Sequence, residues 1–341
     1  MKSKGEIVAF AKETLGLSPK TRTELVPFEG RGSDRAYFRF RWNGGHSVIL
    51  VQYQPSRVEN TYYAGIAFFL EEIGVPVPKV IHHDPQNCFI IMKDLGDLDL
   101  WCVRNEPWEL RRPLYEKTLC VVNRLHSFSP ERFPSDHVKL TESFGAGLYL
   151  WERSYFKENF VKAFCGIELD TDFGRRLERE LACLAESLET GRRSLVHRDL
   201  QSQNVMISDG EAFLIDFQGM RFGTRFYDLG SLLCDPYVDF SAEERYELLS
   251  YYFRISQNGM DWGDFQKAFW EASAQRLMQA LGAYGFLGLK KGLPNYFAYI
   301  PAGLKNLQTA AAKSDSLPLL HELAANCAMR IRTQTGFQTG L

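Results

Sequence analysis

The sequence has no Cys-x-x-Cys pair. Its seven cysteines, at 88, 102, 120, 165, 183, 234 and 327, are scattered and odd in number. That pattern fits reduced thiols in a cytoplasm better than a zinc site or a disulfide framework. No stretch approaches the ~18–20 consecutive apolar residues that a membrane helix needs. The opening residues MKSKGEIVAFAKETLG contain no continuous apolar run of the signal-peptide kind, so a cytoplasmic enzyme is expected. A strong charge of either sign is missing as well. Forty Lys and Arg stand against 42 Asp and Glu, for a net charge of −2. That balance gives no reason to expect a nucleic-acid or membrane surface. Repeats and low-complexity segments are absent, and nothing marks an obligate protein partner.

What remains is an ordinary globular composition, 45% hydrophobic over 341 residues, which is long enough for one large domain or two lobes. The chain begins with a short amphipathic helix at 4–15. TELVPF (23–28), RAYFRFRW (35–42) and SVILVQY (47–53) read as strands, with GRGSD (30–34) and NGG (43–45) as turns. A helix at 58–73 stops at Gly74. VPVP (75–78) then leads into two more strands, KVIHHD (79–84) and CFIIMKDL (88–95). After Gly96 helical periodicity takes over at 110–128, 142–164 and 172–189, and again at 241–256, 263–287, 295–312 and on to 331. A strand–loop–strand block interrupts it at 194–217. The expectation is an α+β fold, with a small antiparallel lobe at 1–95, a large helical lobe at 96–341 and a ligand cleft where they meet.

The densest chemical signal is LVHRDLQSQNVMI (195–207) followed by FLIDFQG (213–219). An Asp follows a short strand, an Asn comes five residues later, and a second Asp ends the next hairpin. Phosphoryl transfer needs these groups together. One carboxylate orients a hydroxyl and takes its proton, while an amide and a second carboxylate hold Mg²⁺ against phosphates. Asp199 suits the first role; Asn204 and Asp216 suit the other two. The bland reading, that all three are turn and cap residues, does not explain their order.

The HRDxxxxN and DFx pattern resembles the protein-kinase-like superfamily, and within it the aminoglycoside phosphotransferases. Only 11 residues separate Asp216 from Asp228, which leaves no room for a peptide-docking activation segment. The resemblance therefore implies a two-lobed kinase fold, ATP and Mg²⁺ as cofactors, and a small-molecule acceptor. Asp228 in YDLGSLL reads as structural, either as a helix cap or as a brace for the catalytic loop. His126 and His197 read as core. GRGSDRAYFRF (30–40) resembles the phosphate-covering hairpin, with Gly32 and Ser33 at its turn. FIIMKDLGD (89–97) resembles the hinge, whose backbone would hold adenine near Met92, Asp94 and Leu95.

SDRAYFRF, IDFQG, YDLGSLL and QRLMQALGAYGFL…NYFAYIPAGLKNL (275–307) look similar to bacterial anomeric sugar kinases, which phosphorylate N-acetylmuramate and N-acetylglucosamine at C1. On that likeness Trp151, Glu152, Tyr155 and Arg276 are acceptor-side candidates. The competing readings are a packed stripe for Trp151 and Tyr155 and a buried ion pair for Arg276. One departure stands out. The third strand carries Gln52 near the place where these kinases hold a phosphate-binding Lys. Arg35 and Arg39 on the preceding strand could supply the cation. The gap leaves three readings: a sugar kinase, an aminoglycoside or choline-type kinase, and a nucleotide-binding pseudokinase.

Overall fold

Alternating apolar residues in the first third of the chain build one antiparallel sheet. Its strands are β1 (Thr23–Pro27), β2 (Ala36–Trp42), β3 (His46–Gln52), β4 (Val80–Asp84) and β5 (Phe89–Lys93), in the order β1-β2-β3-β5-β4. The computed structural model describes residues 3–28, 35–256 and 259–335. The β2–β3 turn is Asn43–Gly45, where Gly44 and Gly45 take φ of 75° and 88°; glycine enters that left-handed region without steric cost.

The period of two divides the sheet between two cores. Phe40, Val48, Leu50, Phe89 and Ile91 pack on one face against Ile7 and Ala11 of α1 (Lys4–Thr14). Ile49, Val51, Ile90 and Met92 face the other way and join the main core with α2 (Tyr63–Glu72). The expected helix at 58–73 is thus a 3₁₀ segment, Val58–Tyr62, running into α2. It stops at Gly74, whose φ is 73°.

The rest of the chain is mainly helical: α3 (Trp108–His126), α4 (Ala146–Phe156), α5 (Thr171–Thr190), α6 (Arg225–Leu233), α7 (Ala242–Ser256), α8 (Trp262–Lys290), α9 (Ile300–Ser314) and α10 (Pro318–Thr335). Between α5 and α6 lie two antiparallel strand pairs. β6 (Arg193–Val196) pairs with β9 (Arg221–Thr224), and β7 (Val205–Ser208) pairs with β8 (Glu211–Leu214). The β7–β8 hairpin holds both chain segments that leave the sheet. Leu100 N donates to Val205 O (3.0 Å), Ile207 N to Leu98 O (2.8 Å), and Leu214 N to Pro76 O (3.0 Å). The end of β5 is thereby fixed relative to the two loops flanking that hairpin.

α8 is the buried spine of the helical part. The helix expected over 142–164 is α4 continued by a π turn, Lys157–Lys162. Its wider loop turns the Asn159 carbonyl toward α8, where only glycine fits: a Cβ on Gly285 would sit 2.3 Å from Asn159 O. Backbone cannot yield as a side-chain tip can. Gly285→Ala is expected to cost about 1–3 kcal/mol, the usual range for overpacking. The urea midpoint checks this, and an unchanged midpoint would show that α4 and α8 are free to separate.

Candidate active site

The loop 197–204 hangs between β6 and β7 on two buried carboxylates. Asp228 of α6 accepts from His197 N (2.6 Å) through one oxygen and from Arg198 N (2.8 Å) through the other. Asp235, just past α6, accepts from Ser202 N (2.7 Å) and Ser202 Oγ (2.6 Å). Arg198 sits at φ 78°, a region costing a non-glycine residue about 1–3 kcal/mol, and the Asp228 hydrogen bonds offset that cost. His126 Nε2 meets the same carboxylate at 3.0 Å, and His126 Nδ1 meets Tyr252 Oη at 2.8 Å. Burial pushes the His126 pKa down despite Asp228. A neutral ring then donates from Nε2 and accepts at Nδ1. His126 and His197 are both core residues, 2% and 0% exposed.

Asp199 follows the strained Arg198. Its carboxylate lies 3.1 Å from Arg198 Nη1 and 3.8 Å from Arg276 Nη2. Burial works to raise its pKa, but Arg198 and Arg276 hold it below the ordinary carboxylate range. Asn204 is anchored on the same loop: its Nδ2 donates to Asp199 O (2.8 Å), and its carbonyl accepts from Ile215 N (3.0 Å). Asp216 comes next in the chain, at φ 64°. So Asp199, Asn204 and Asp216 share one constellation, joined by backbone hydrogen bonds.

Arg35, remote in sequence, reaches this constellation from the sheet. It pairs with Asp216 Oδ1 and donates to Gln218 Oε1 (2.7 Å), while Gln218 Nε2 donates to Asp216 Oδ1 (3.0 Å). Tyr63 stacks on Phe217 beneath it, with centroids 4.5 Å apart. Arg39 points elsewhere. It clamps the segment after β5 by donating to Asp97 Oδ1 (2.7 Å), Asp94 Oδ1 (3.0 Å) and Gly96 O (3.0 Å). The Asp94 side chain is thus engaged with Arg39 and with Gly96 N (3.0 Å). Met92 accepts from Tyr63 Oη through its sulfur (3.3 Å), and Leu95 is buried. Gly32 and Ser33 lie outside the described residues.

Gln52, near the place where these kinases hold the Lys, has the parity of Val48 and Leu50, so it faces α1; Ile49 and Val51 hold the other face. Glu152 is not an open acceptor contact. It is 0% exposed and accepts from Tyr227 Oη (2.8 Å) and Gln275 Nε2 (2.9 Å). Burial raises its pKa against those bonds and against Arg198 and Arg276. Trp151 and Tyr155 do stack, at 4.9 Å and 14°, with Trp151 half exposed. Arg276 is both buried and beside Asp199. Asp235 and Arg221 also reach the site without a signal in the neighbouring sequence, because their partners are remote or lie across a turn.

Asp216 Oδ2 and Asn204 Oδ1 have no hydrogen-bond partner among the described residues. Hard oxygen donors of this kind fit Mg²⁺, which binds through one or two protein oxygens plus water and phosphate. Among the described residues no helix is long and apolar enough to cross a membrane.

Residues 24–265 match the phosphotransferase enzyme family. The chain belongs to that family. The phosphotransferase is 26% identical over 314 residues to an N-acetylmuramate/N-acetylglucosamine kinase of Pseudomonas aeruginosa, covering 89% of this chain and 88% of that one. A kinase of the same description from Neisseria meningitidis is 25% identical, with 89% and 90% covered. Among solved structures, a choline/ethanolamine kinase family protein from Mesorhizobium loti superposes with a TM-score of 0.60 at 16% identity, covering 95% of this chain and 99% of that one. That likeness establishes the two-part kinase fold. This phosphotransferase is a kinase, and its family implies ATP binding.

Proposed function

We propose that the protein transfers the terminal phosphoryl group of ATP to a sugar hydroxyl, the C1 hydroxyl of N-acetylmuramate or N-acetylglucosamine. The observation that carries this acceptor class is the charge around Asp199. Arg198 and Arg276 flank the carboxylate, and aminoglycosides and choline, being cations, would meet them at close range. A neutral or anionic sugar meets no such repulsion. A second reading, an amino-alcohol kinase, draws on the tyrosine cluster of Tyr237, Tyr284 and Tyr299 (centroids 4.3–6.1 Å), since aromatic faces attract ammonium groups. The adjacent guanidinium groups oppose it.

In this reading residues 1–95 hold the nucleotide and 96–341 carry the loop and the acceptor side. Asp199 orients the hydroxyl and accepts its proton. Asn204 and Asp216 hold Mg²⁺, which would neutralise charge on the triphosphate. Arg35, beside Asp216, takes the part of the missing strand lysine. Arg39 positions the segment after β5, whose backbone from Met92 to Leu95 meets adenine.

The test is coupled ADP release with Mg-ATP over N-acetylmuramate, N-acetylglucosamine, other hexoses, aminoglycosides and choline. Turnover on an amino sugar with a C1-phosphate product is expected. Turnover confined to cationic acceptors would overturn the acceptor assignment, and nucleotide binding without turnover on any acceptor would favour a pseudokinase.

A further inference from the structure

The buried charges around Asp199 are unevenly paired. Three guanidinium groups converge there, those of Arg198, Arg221 and Arg276. Asp199 and Glu152 lie among them, and buried Asp235 also acts on Arg276. Asp199 stands between Arg198 and Arg276. Glu152 has its oxygens engaged by Tyr227 and Gln275.

Arg221 is left over. Its Nε donates to Gly219 O (3.1 Å), and its guanidinium lies 5.3 Å from the centre of the Phe144 ring. Among the described residues no carboxylate comes within 4 Å of it, and its two terminal nitrogens, with four N–H donors between them, have no hydrogen-bond partner. Yet the residue is only 7% exposed. Its tether puts it at the reaction site: a Cβ on Gly219 would lie 3.5 Å from Arg198 Cδ and 3.9 Å from Asp199 Oδ2. Burial, then Arg198, lowers the Arg221 pKa, whereas those of Arg198 and Arg276 are raised. A buried charge with no direct ion-pair partner is costly, and a carboxylate on a ligand would supply that partner.

We propose that Arg221 is the specificity-determining residue for a carboxylate on the acceptor, so that the preferred substrate is a sugar acid rather than a neutral sugar. A planar fork of N–H donors matches a carboxylate in a bidentate pair. The inference rests on the sugar-kinase reading and sharpens it. N-acetylmuramate carries a carboxylate on its ether arm; N-acetylglucosamine has none.

Wild-type enzyme is expected to favour N-acetylmuramate in kcat/KM. Arg221→Gln should lower that value about 10–100-fold more for N-acetylmuramate than for N-acetylglucosamine, the range for losing a charged hydrogen bond. Most of the change should fall on KM, and Arg221→Lys should restore part of it. If the variant does not fold, the wild-type enzyme supplies the same comparison with the methyl ester of N-acetylmuramate, which should fall to the level of the neutral sugar. Equal handling of acid and ester overturns the proposal. So does an equal loss on both sugars with a raised KM for ATP, because Arg221 would then be reading phosphate. Failure to phosphorylate any amino sugar would instead bring down the sugar-kinase reading, and this inference with it.

Discussion

Asp199→Asn is expected to cut turnover by about 10²–10⁴-fold, the range for loss of general-base catalysis, while ATP still binds. The geometry separates the two effects. Asn204 is anchored to the backbone carbonyl of Asp199, not to its carboxylate, so the amide substitution leaves that link in place. Asp216, Arg35 and Gln218 form their own cluster. The Asp199 carboxyl is held below its ordinary pKa by the neighbouring arginines, which makes it a weak base. In the proposed reaction its main contribution is then to orient the hydroxyl and to receive a proton late in the transfer. The anomeric hydroxyl of a sugar is more acidic than an ordinary alcohol, which favours the lower end of the range. Coupled ADP release gives the turnover and calorimetry the ATP affinity. Turnover within tenfold of wild type would remove Asp199 from the proposed role. Loss of ATP binding in parallel would mean that the substitution had disturbed the whole loop.

Asp228→Ala is expected to destabilise the fold by about 3–5 kcal/mol, the cost of stripping one partner from a buried charged network. Asp228 is 0% exposed, and its carboxylate accepts from His197 N, Arg198 N and His126 Nε2. Alanine would leave three buried donors unmet, each worth about 1–3 kcal/mol. It would also release Arg198 from its positive φ, so the residue bearing Asp199 would relax away from Arg276. Asp228→Asn should fall between the two, because one acceptor oxygen becomes a donor facing an N–H. Urea unfolding measures the loss. A midpoint near wild type for the alanine variant would mean that water or a shifted side chain replaces the carboxylate.

The two predictions draw on different kinds of legibility. The string from His197 to Asp228 shows its chemistry in one dimension because catalytic loop, hairpin and following helix are consecutive in the chain. Short apolar strands flank each polar residue, so its place at a strand end follows from local pattern. The same holds for the sheet: period-two alternation, the Asn-Gly-Gly turn and Gly74 mark strands and ends without reference to anything distant. The fold class follows from that order of elements, an antiparallel sheet first and helices after it.

The groups that complete the site are of another kind. Arg35 meets Asp216 across 181 positions, and Arg39 meets Asp94 across 55. In the sequence Arg35 and Arg39 are equal candidates to supply the cation missing beside Gln52, and only the packed chain sends Arg35 to Asp216 and Arg39 to Asp94. Glu152 reads as an accessible acid until α6 and α8 close over it. That Arg221 forms no ion pair among the described residues has no meaning in the sequence, where 40 cations and 42 anions nearly cancel. Charge balance inside a protein is set over a few ångströms of low dielectric, so only the packed chain decides which arginine lacks an ion pair. By itself the sequence determined the order of elements and the reactive motif, both local in origin. Tertiary packing decided which side chains reach that motif and with what net charge, because burial and pairing arise only when distant segments meet.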